Sequence, residues 1–248
     1  MMQQKRGLSL NQGLLFLAWL AVLALLISLA TWQVHRGQEK TRLLAAFSAS
    51  QQGPVLHDLS VEQAQALLEK ETVFLRTCIE GRYDAAHQFL LDGQTQDGNI
   101  GFHVWTPLVT HSGGQILVNR GWVAQTPDRR PVADLAVEDA SHEVCGTLVR
   151  FPRSGWALKA APESQTWPRV MVYPPAKEIE ITLGHSIYPL LLLLDADARE
   201  GFGRHWKPVT MLPEQHYGYA FQWAALAITW VVVTTVYWRR RARESRQL

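Results

Sequence analysis

Two blocks of nineteen residues, one near each end of the chain, constrain the fold more than anything else in the sequence. Residues 14–32 read LLFLAWLAVLALLISLATW and carry no charge. Residues 220–238 read AFQWAALAITWVVVTTVYW, with Gln222 as their only strongly polar side chain. A bilayer core about 30 Å thick needs roughly 20 helical residues, so both blocks fit a transmembrane helix. The run YPLLLLL at 188–194 is far too short to span and reads as a buried strand. Ser28-Leu29-Ala30 resembles a signal-peptidase site, but the apolar block before it is longer than a signal h-region, which argues for a retained span.

The flanking charges set an expected orientation. Lys5 and Arg6 precede the first block, and Arg239, Arg240, Arg241, Arg243 and Arg246 follow the second. Positive residues stay on the cytoplasmic side. The expected domains are therefore a cytoplasmic N-terminus (1–13), a first span (14–32), an extracytoplasmic β-rich domain (33–219), a second span (220–238) and a basic cytoplasmic tail (239–248). The net charge of +2 divides into +2 before the first block, +4 in the tail and −4 between them. The basicity thus belongs to membrane anchoring and gives no nucleic-acid footprint.

Between the spans, Ser60 with Gln63 forms a capping-box pattern that opens the helix VEQAQALLEK. TVFLRTCI (72–79), GFHVWTPLV (101–109), QILVNRGWV (115–123), HEVCGTLVR (142–150), PRVMVY (168–173) and IYPLLLLLD (187–195) read as strands. His111-Ser112-Gly113-Gly114 predicts a tight hairpin turn joining the second of these to the third. Residues 176–183, ahead of Gly184, predict one more helix. The fold class that follows is a membrane protein: two terminal transmembrane helices flanking a mostly antiparallel β (α+β) extracytoplasmic domain, closed on itself or sandwiched. Cys78 and Cys145 both fall in that domain. An oxidising compartment would permit a bond, but two cysteines alone make no disulfide framework, and they are read as small buried strand residues.

Enzyme signatures are missing: there is no G-x-S-x-G, H-E-x-x-H, P-loop or G-x-G-x-x-G. No C-x-x-C-H exists for covalent haem attachment. Asp195 and Asp197 read as an exposed strand end. His57, His87, His142 and His205 read as surface residues without zinc spacing. Arg120, in Asn119-Arg120-Gly121-Trp122, either pairs with an acidic neighbour while Trp122 fills the core, or binds a carboxylate or partner.

Four stretches occur in order along the chain: TWQVHRGQEK after the first span, GFHVWTPL, ILVNRGWV, and P-E-Q-H-x-x-Y-A-x-x-W at the second span. Together they resemble the Surfeit locus protein 1 family, assembly factors for cytochrome c oxidase, over nearly the whole chain. The resemblance implies a non-enzymatic protein of the bacterial inner membrane with a periplasmic domain. It would bind haem a transiently and aid its insertion into the oxidase catalytic subunit, with haem A synthase as a further partner. The alternative is a cofactor-free scaffold for an oxidase subunit or for haem A synthase. The matching positions are Trp32, Gln33 and Arg36, then Thr106, Pro107, Asn119, Arg120, Gly121 and Trp122 as partner or structural residues. At the second span His216, Tyr219, Ala220 and Trp223 are the implied cofactor-binding residues, His216 as ligand of haem iron. The chain departs from the family pattern at Glu214-Gln215 and at Ala224.

On a helix, His216, Ala220, Trp223, Ala224 and Ala227 share one face. That face suits a flat apolar ligand with a metal centre, since imidazole is a common axial ligand of haem iron. It equally suits close packing of two membrane helices, with Ala24 and Ser28 of the first span as the matching surface. His35, three residues past Trp32, is a candidate second ligand.

Overall fold

The computed structural model describes residues 10–57, 59–70, 72–138, 140–152 and 166–244. Lys5, Arg6 and Arg246 lie outside the described residues. In chain order the elements are α1 (Leu10–Gln51), β1 (Leu56–His57), α2 (Val61–Leu67), β2 (Leu75–Tyr83), β3 (Phe89–Gln96), β4 (Asn99–Thr110), β5 (Gln115–Ala124), β6 (Ser141–Val149), β7 (Arg169–Met171), α3 (Ala176–Leu183), β8 (Leu191–Leu194) and α4 (Pro213–Glu244). The chain divides into two compact units: Met1–Ala45 with Pro208–Leu248, and Ala46–Lys207.

The first unit is an antiparallel pair made by α1 and α4. Both helices are long and apolar enough to cross a membrane. Each extends beyond its apolar block: α1 has 42 residues and α4 has 32. On α1, Trp19, Leu23, Leu26, Ala30, Gln33 and Gly37 are at least half-covered and recur every three or four residues, the spacing of one helical face. Contacts run in opposite order along the two helices. Trp19 Nε1 donates to Thr234 Oγ1 at 3.0 Å, Gln33 meets His216, and Gly37 meets Tyr217. A Cβ on Gly37 would stand 2.7 Å from Tyr217 Cε1, so only glycine lets the ring lie there. Ala24 and Ser28 are exposed. Ala24 sits about 100° and Ser28 about 140° round the helix from Leu23 on the covered face, so the expected small-residue surface is not the one α4 uses.

The second unit is a closed sheet with two short helices. The strand order β1-β2-β6-β8-β5-β4-β3-β7 carries an additional β2–β4 pairing. The circuit β2–β6–β8–β5–β4–β2 therefore closes on itself, which removes the edges of those strands. β4 makes closure possible by pairing with β3 through its first half and with β2 at Leu108–Thr110. The long ladders are antiparallel, but β1–β2, β3–β7 and β5–β8 are parallel. The sheet is thus mostly antiparallel, as expected, but mixed through three short parallel pairings. Those parallel strands reach their partners through crossovers that local sequence patterns do not reveal.

The sequence patterns act locally as expected in several places. Ser60 and Gln63 form the full capping box of α2. Gly184 ends α3 in the left-handed conformation, its N–H bonded to Glu180 O. The β4–β5 hairpin closes through Thr110 and Gly114, with Gly113 at φ +82°. The strand expected at 72–79 begins and ends later, at Leu75 and Tyr83, and β3 is not among the expected strands.

Period-two alternation distributes β5 between two cores. Ile116 and Val118 pack inside the closed circuit with Ile79, Leu108, Val144, Leu148 and Leu192, and Ala64 of α2 joins that cluster. Leu117 faces the other way, into a cluster with Phe89, Trp105, Leu191 and Ile179 of α3. The strand is covered on both sides.

Cys78 and Cys145 form a disulfide, with Cα atoms 4.0 Å apart, overturning the reading of two unbonded buried residues. Both are only partly buried. They are direct register partners on β2 and β6, a neighbour relation that a separation of 67 residues conceals in the sequence. Asp195 is likewise not an exposed strand end. It is buried at 9% exposure and paired with Arg76, whereas Asp197 is exposed.

Closing a loop of that length removes about 4 kcal/mol of unfolded-chain entropy. Cys145→Ser is therefore expected to lower the urea midpoint of the β unit while leaving its far-ultraviolet dichroism native-like. Equal midpoints for the two proteins under non-reducing conditions would show that the bond contributes nothing.

Candidate functional site

In the helix pair, α4 buries His216, Ala220 and Ala227, with Trp223 and Ala224 partly covered. This is the face expected from the spacing. His216 is 7% exposed, and its Nδ1 lies 2.8 Å from Gln33 Oε1 on α1. An amide oxygen only accepts, so Nδ1 is the donor in this contact, and the Nδ1–H tautomer would carry its lone pair on Nε2. Nε2 is buried and has no hydrogen-bond partner. Leaving a buried acceptor unsatisfied costs about 1–3 kcal/mol, so this nitrogen is poised to take a donor or a metal.

One turn further along, a groove of about 370 Å³ is lined by Ala30, Thr31, Val34 and His35 of α1 and by Ala220, Phe221 and Ala224 of α4. The small residues leave the space, and His35 supplies the one imidazole in its wall. His35 and Trp32 are exposed. Arg36 pairs with Glu39 a turn away rather than with anything near His216. Tyr219 is 46% exposed, about 100° round the helix from Ala220, and therefore lies off the face that carries His216. Gly37 and Tyr217 were not singled out from sequence. A glycine well inside α1, where it costs helix stability, was the available signal.

In the β unit, the residues of the hairpin motif converge on Gln88, which sequence reasoning passed over. Thr106 Oγ1 donates to Gln88 Oε1 at 3.0 Å, and Arg120 reaches the same oxygen at 3.5 Å. Gln88 Nε2 and Arg120 both donate to Leu135 O, at 3.1 and 3.0 Å, and Arg120 also reaches Ala136 O. Arg120 is 3% exposed and has no carboxylate within ion-pair distance among the described residues. The expected acidic partner is thus replaced by carbonyls and by the rings of Tyr83 and Phe202, at 5.6 and 5.0 Å. Burial pulls the Arg120 guanidinium below its ordinary value, and Tyr83 and Glu200 counter that. Burial raises the Tyr83 hydroxyl, helped by the charge of Glu200, to which it donates at 2.8 Å.

Gly121 has φ +118°, and a Cβ there would meet Gly203 O at 2.8 Å. That bareness lets the segment at 202–203 bond to Arg120 and Trp122 backbone atoms. Trp122 is only partly buried and donates from Nε1 to Gln94 O, so it braces β3 rather than filling the core. Asn119 is 3% exposed and holds Gly121 N–H through its own side chain. Pro107 O accepts from Asp84 N–H. The network is a brace built into the sheet, consistent with a structural role for these positions. Of the four histidines expected at the surface, His57 and His205 are exposed, while His87 and His142 are half-covered. His87 packs edge-on against Trp167.

His103 on β4 stacks edge-on with Trp206, and burial pushes its imidazole down to about 4. The unfolded chain, with its ordinary histidine value near 6.5, binds this proton when the folded chain does not. Stability is therefore full above about pH 6.5 and falls as the pH drops toward 4, by about 3 kcal/mol at most. Urea unfolding of the β unit across that window is expected to show the slope, and His103→Gln to flatten it. An unchanged slope in the variant would assign the acid sensitivity elsewhere.

Comparison with known proteins places this architecture. The family model of the SURF1 family matches residues 20–228. A SURF1-like protein of Rickettsia felis is 24% identical over 231 residues, spanning 89% of this chain and 95% of that protein. A SURF1-like protein of Dictyostelium discoideum is 32% identical over 117 residues, 45% of this chain and 43% of that one. The cytochrome oxidase assembly protein SHY1 of Saccharomyces cerevisiae is 24% identical over 159 residues, 60% of this chain and 40% of its own length. The match runs from within α1 to within α4 and takes in the whole β unit: the chain belongs to the SURF1 family.

Proposed function

We propose that this chain is a membrane-anchored assembly factor for cytochrome c oxidase, and that it binds haem a transiently at α4 and hands it toward the catalytic subunit. Family membership and the name of the yeast relative support the assembly role. The observation that carries the haem reading is His216: a buried imidazole whose Nδ1 is held by Gln33 and whose Nε2 lone pair is free. A ring oriented by a hydrogen bond at one nitrogen is the arrangement that metal-ligating histidines adopt. Haem, when bound, would supply an iron able to take an imidazole nitrogen as ligand. His216 would offer Nε2 to it, while Ala220, Ala224 and Trp223 would form an apolar wall, with His35 in the groove as the candidate second imidazole. Tyr219, on another face, would touch such a ligand only at its periphery.

The scaffold reading draws on a different observation. Nε2 is enclosed by protein, as it would be if His216 served only to pin α4 to α1. In that case the protein would hold an oxidase subunit or haem A synthase without binding the cofactor. His216→Ala separates the two. Loss of one interfacial hydrogen bond costs about 1 kcal/mol, so the variant is expected to accumulate normally. When co-produced with haem A synthase, it is expected to purify with much less haem than the parent and with a displaced Soret band. Parental haem stoichiometry with an unchanged spectrum would leave the scaffold reading in place.

The same proposal puts α1 and α4 across a bacterial inner membrane with both chain ends in the cytoplasm and the β unit in the periplasm. Arg239, Arg240, Arg241 and Arg243 at the end of α4 favour the cytoplasmic side. The disulfide favours an oxidising compartment for the β unit. A phosphatase active only in the periplasm is expected to work when inserted at Gly98 and to be silent when fused after Leu248. The reverse pattern would invert the topology.

A further inference from the structure

The disulfide has neighbours that a simple structural staple does not need. Three adjacent strands place His57, Cys78 and Cys145 in one row. His57 is the register partner of Cys78 across β1 and β2, and Cys78 is the register partner of Cys145 across β2 and β6. Side chains of directly opposed residues stand on the same face of a sheet. Glu143, two residues before Cys145, shares that face by the strand period. The flanking residues Thr77 and Ile79 point inward and are fully buried, so this row lies on the outer face of the closed sheet.

The ligand atoms of His57, Cys78 and Glu143 all lie within 4.8 Å of one another, with His57 Nδ1 3.9 Å from Glu143 Oε1. Tetrahedral zinc, with bonds of about 2.0–2.3 Å, sets its ligand atoms roughly 3.3–3.8 Å apart. The cluster is therefore within about 1 Å of that spacing before any side chain turns. It is also open. His57, Cys78 and Glu143 line a cavity of about 720 Å³, and Cys145 and Glu143 line a neighbouring one of about 1030 Å³. His57 and Glu143 side chains are 63% and 57% exposed.

We propose that the reduced form of the Cys78–Cys145 pair, with His57 and Glu143, is a binding site for a thiophilic d10 cation of the zinc type, and that the disulfide is its closed state. Opening needs a dithiol reductant. The Cys78–Cys145 S–S bond takes two electrons and two protons and becomes two thiols, while the reductant's two thiols become its own disulfide. The metal then binds two thiolates, the neutral His57 imidazole and the Glu143 carboxylate, and the two thiol protons pass to solvent. Two sulfurs, one nitrogen and one oxygen form a closed four-coordinate set suited to storing or sensing a metal rather than to catalysis. Oxidation and metal binding exclude each other, because the same two sulfurs serve both.

The test uses the full-length chain in detergent, reduced with a phosphine that leaves no competing thiol, and titrated with Zn²⁺ or with Co²⁺ as its spectroscopic substitute. The reduced protein is expected to take up one equivalent and to show a thiolate-to-cobalt charge-transfer band. The oxidised protein is expected to bind neither ion at the same concentration. His57→Ala removes an exposed side chain with no core contact and is expected to weaken binding about tenfold or more, with the dichroism unchanged. Equal uptake by oxidised and reduced protein, uptake without the charge-transfer band, or affinity indifferent to His57→Ala would each overturn the site. So would a reduced β unit that loses its dichroism and does not regain it with zinc.

Discussion

The β unit depends on a single strand being covered on both faces. β5 lies between β4 and β8, and every residue from Gln115 to Gly121 is buried. Ile116, Leu117 and Val118 meet that constraint by packing alone. Asn119 and Arg120 cannot, because a buried polar group without partners costs more than the packing returns. The surrounding chain is arranged around that need. Carbonyls at Leu135 and Ala136 turn toward the guanidinium, Gln88 gathers Thr106 and Arg120 on one amide oxygen, and Gly121 clears room for the chain at 202–203. A guanidinium neutralised by dipoles and ring faces avoids the geometric demands of a buried ion pair. It also joins four separate segments through one side chain. The motif Asn-Arg-Gly-Trp is thus explained by what β5 must bury, with no ligand required.

The helix pair, long and apolar enough to cross a membrane, packs by a different rule. In hydrocarbon, apolar faces gain nothing by meeting each other, so association rests on close packing and on the few polar groups present. The two helices meet through such features: glycine against a tyrosine ring at Gly37, an indole on a threonine hydroxyl at Trp19, and an amide on an imidazole at Gln33. Gln33 and His216 therefore serve two ends at once. The hydrogen bond holds the helices in register, and it decides which nitrogen of His216 remains available.

How far this could be read in advance differs from element to element. The capping box at Ser60, the glycine stop at Gly184 and the Gly113 turn are local chemistry, and local chemistry is written in adjacent residues. The face of α4 that carries His216, Ala220 and Ala227 was legible because helical period alone determines it. Which face of α1 meets it was not. Small size at Ala24 and Ser28 suggested one surface, and the polar and aromatic contacts of Trp19 and Gln33 selected another. The pairing of Cys78 with Cys145 depends on register between β2 and β6, and the parallel partners of β7 and β8 depend on closure of the sheet. These are properties of the assembled fold. Gln88 escaped notice for a similar reason, since nothing beside it in sequence marks it as the acceptor shared by Thr106 and Arg120.

The two units use their polar groups differently. In the β unit, the hydrogen-bonding groups of Thr106, Asn119 and Gln88 are consumed internally, while His57 and Glu143 on its outer face stay exposed. In the helix pair, His216 keeps one buried ring nitrogen without a hydrogen-bond partner among the described residues. Buried side-chain nitrogens without a partner also occur in the β unit, at Trp105 and on Arg120 Nε, so what sets His216 apart is that its unpartnered atom belongs to an imidazole oriented by Gln33. On that reasoning the proposed ligand is assigned to the P-E-Q-H segment, and the Asn-Arg-Gly-Trp residues to the support of the sheet.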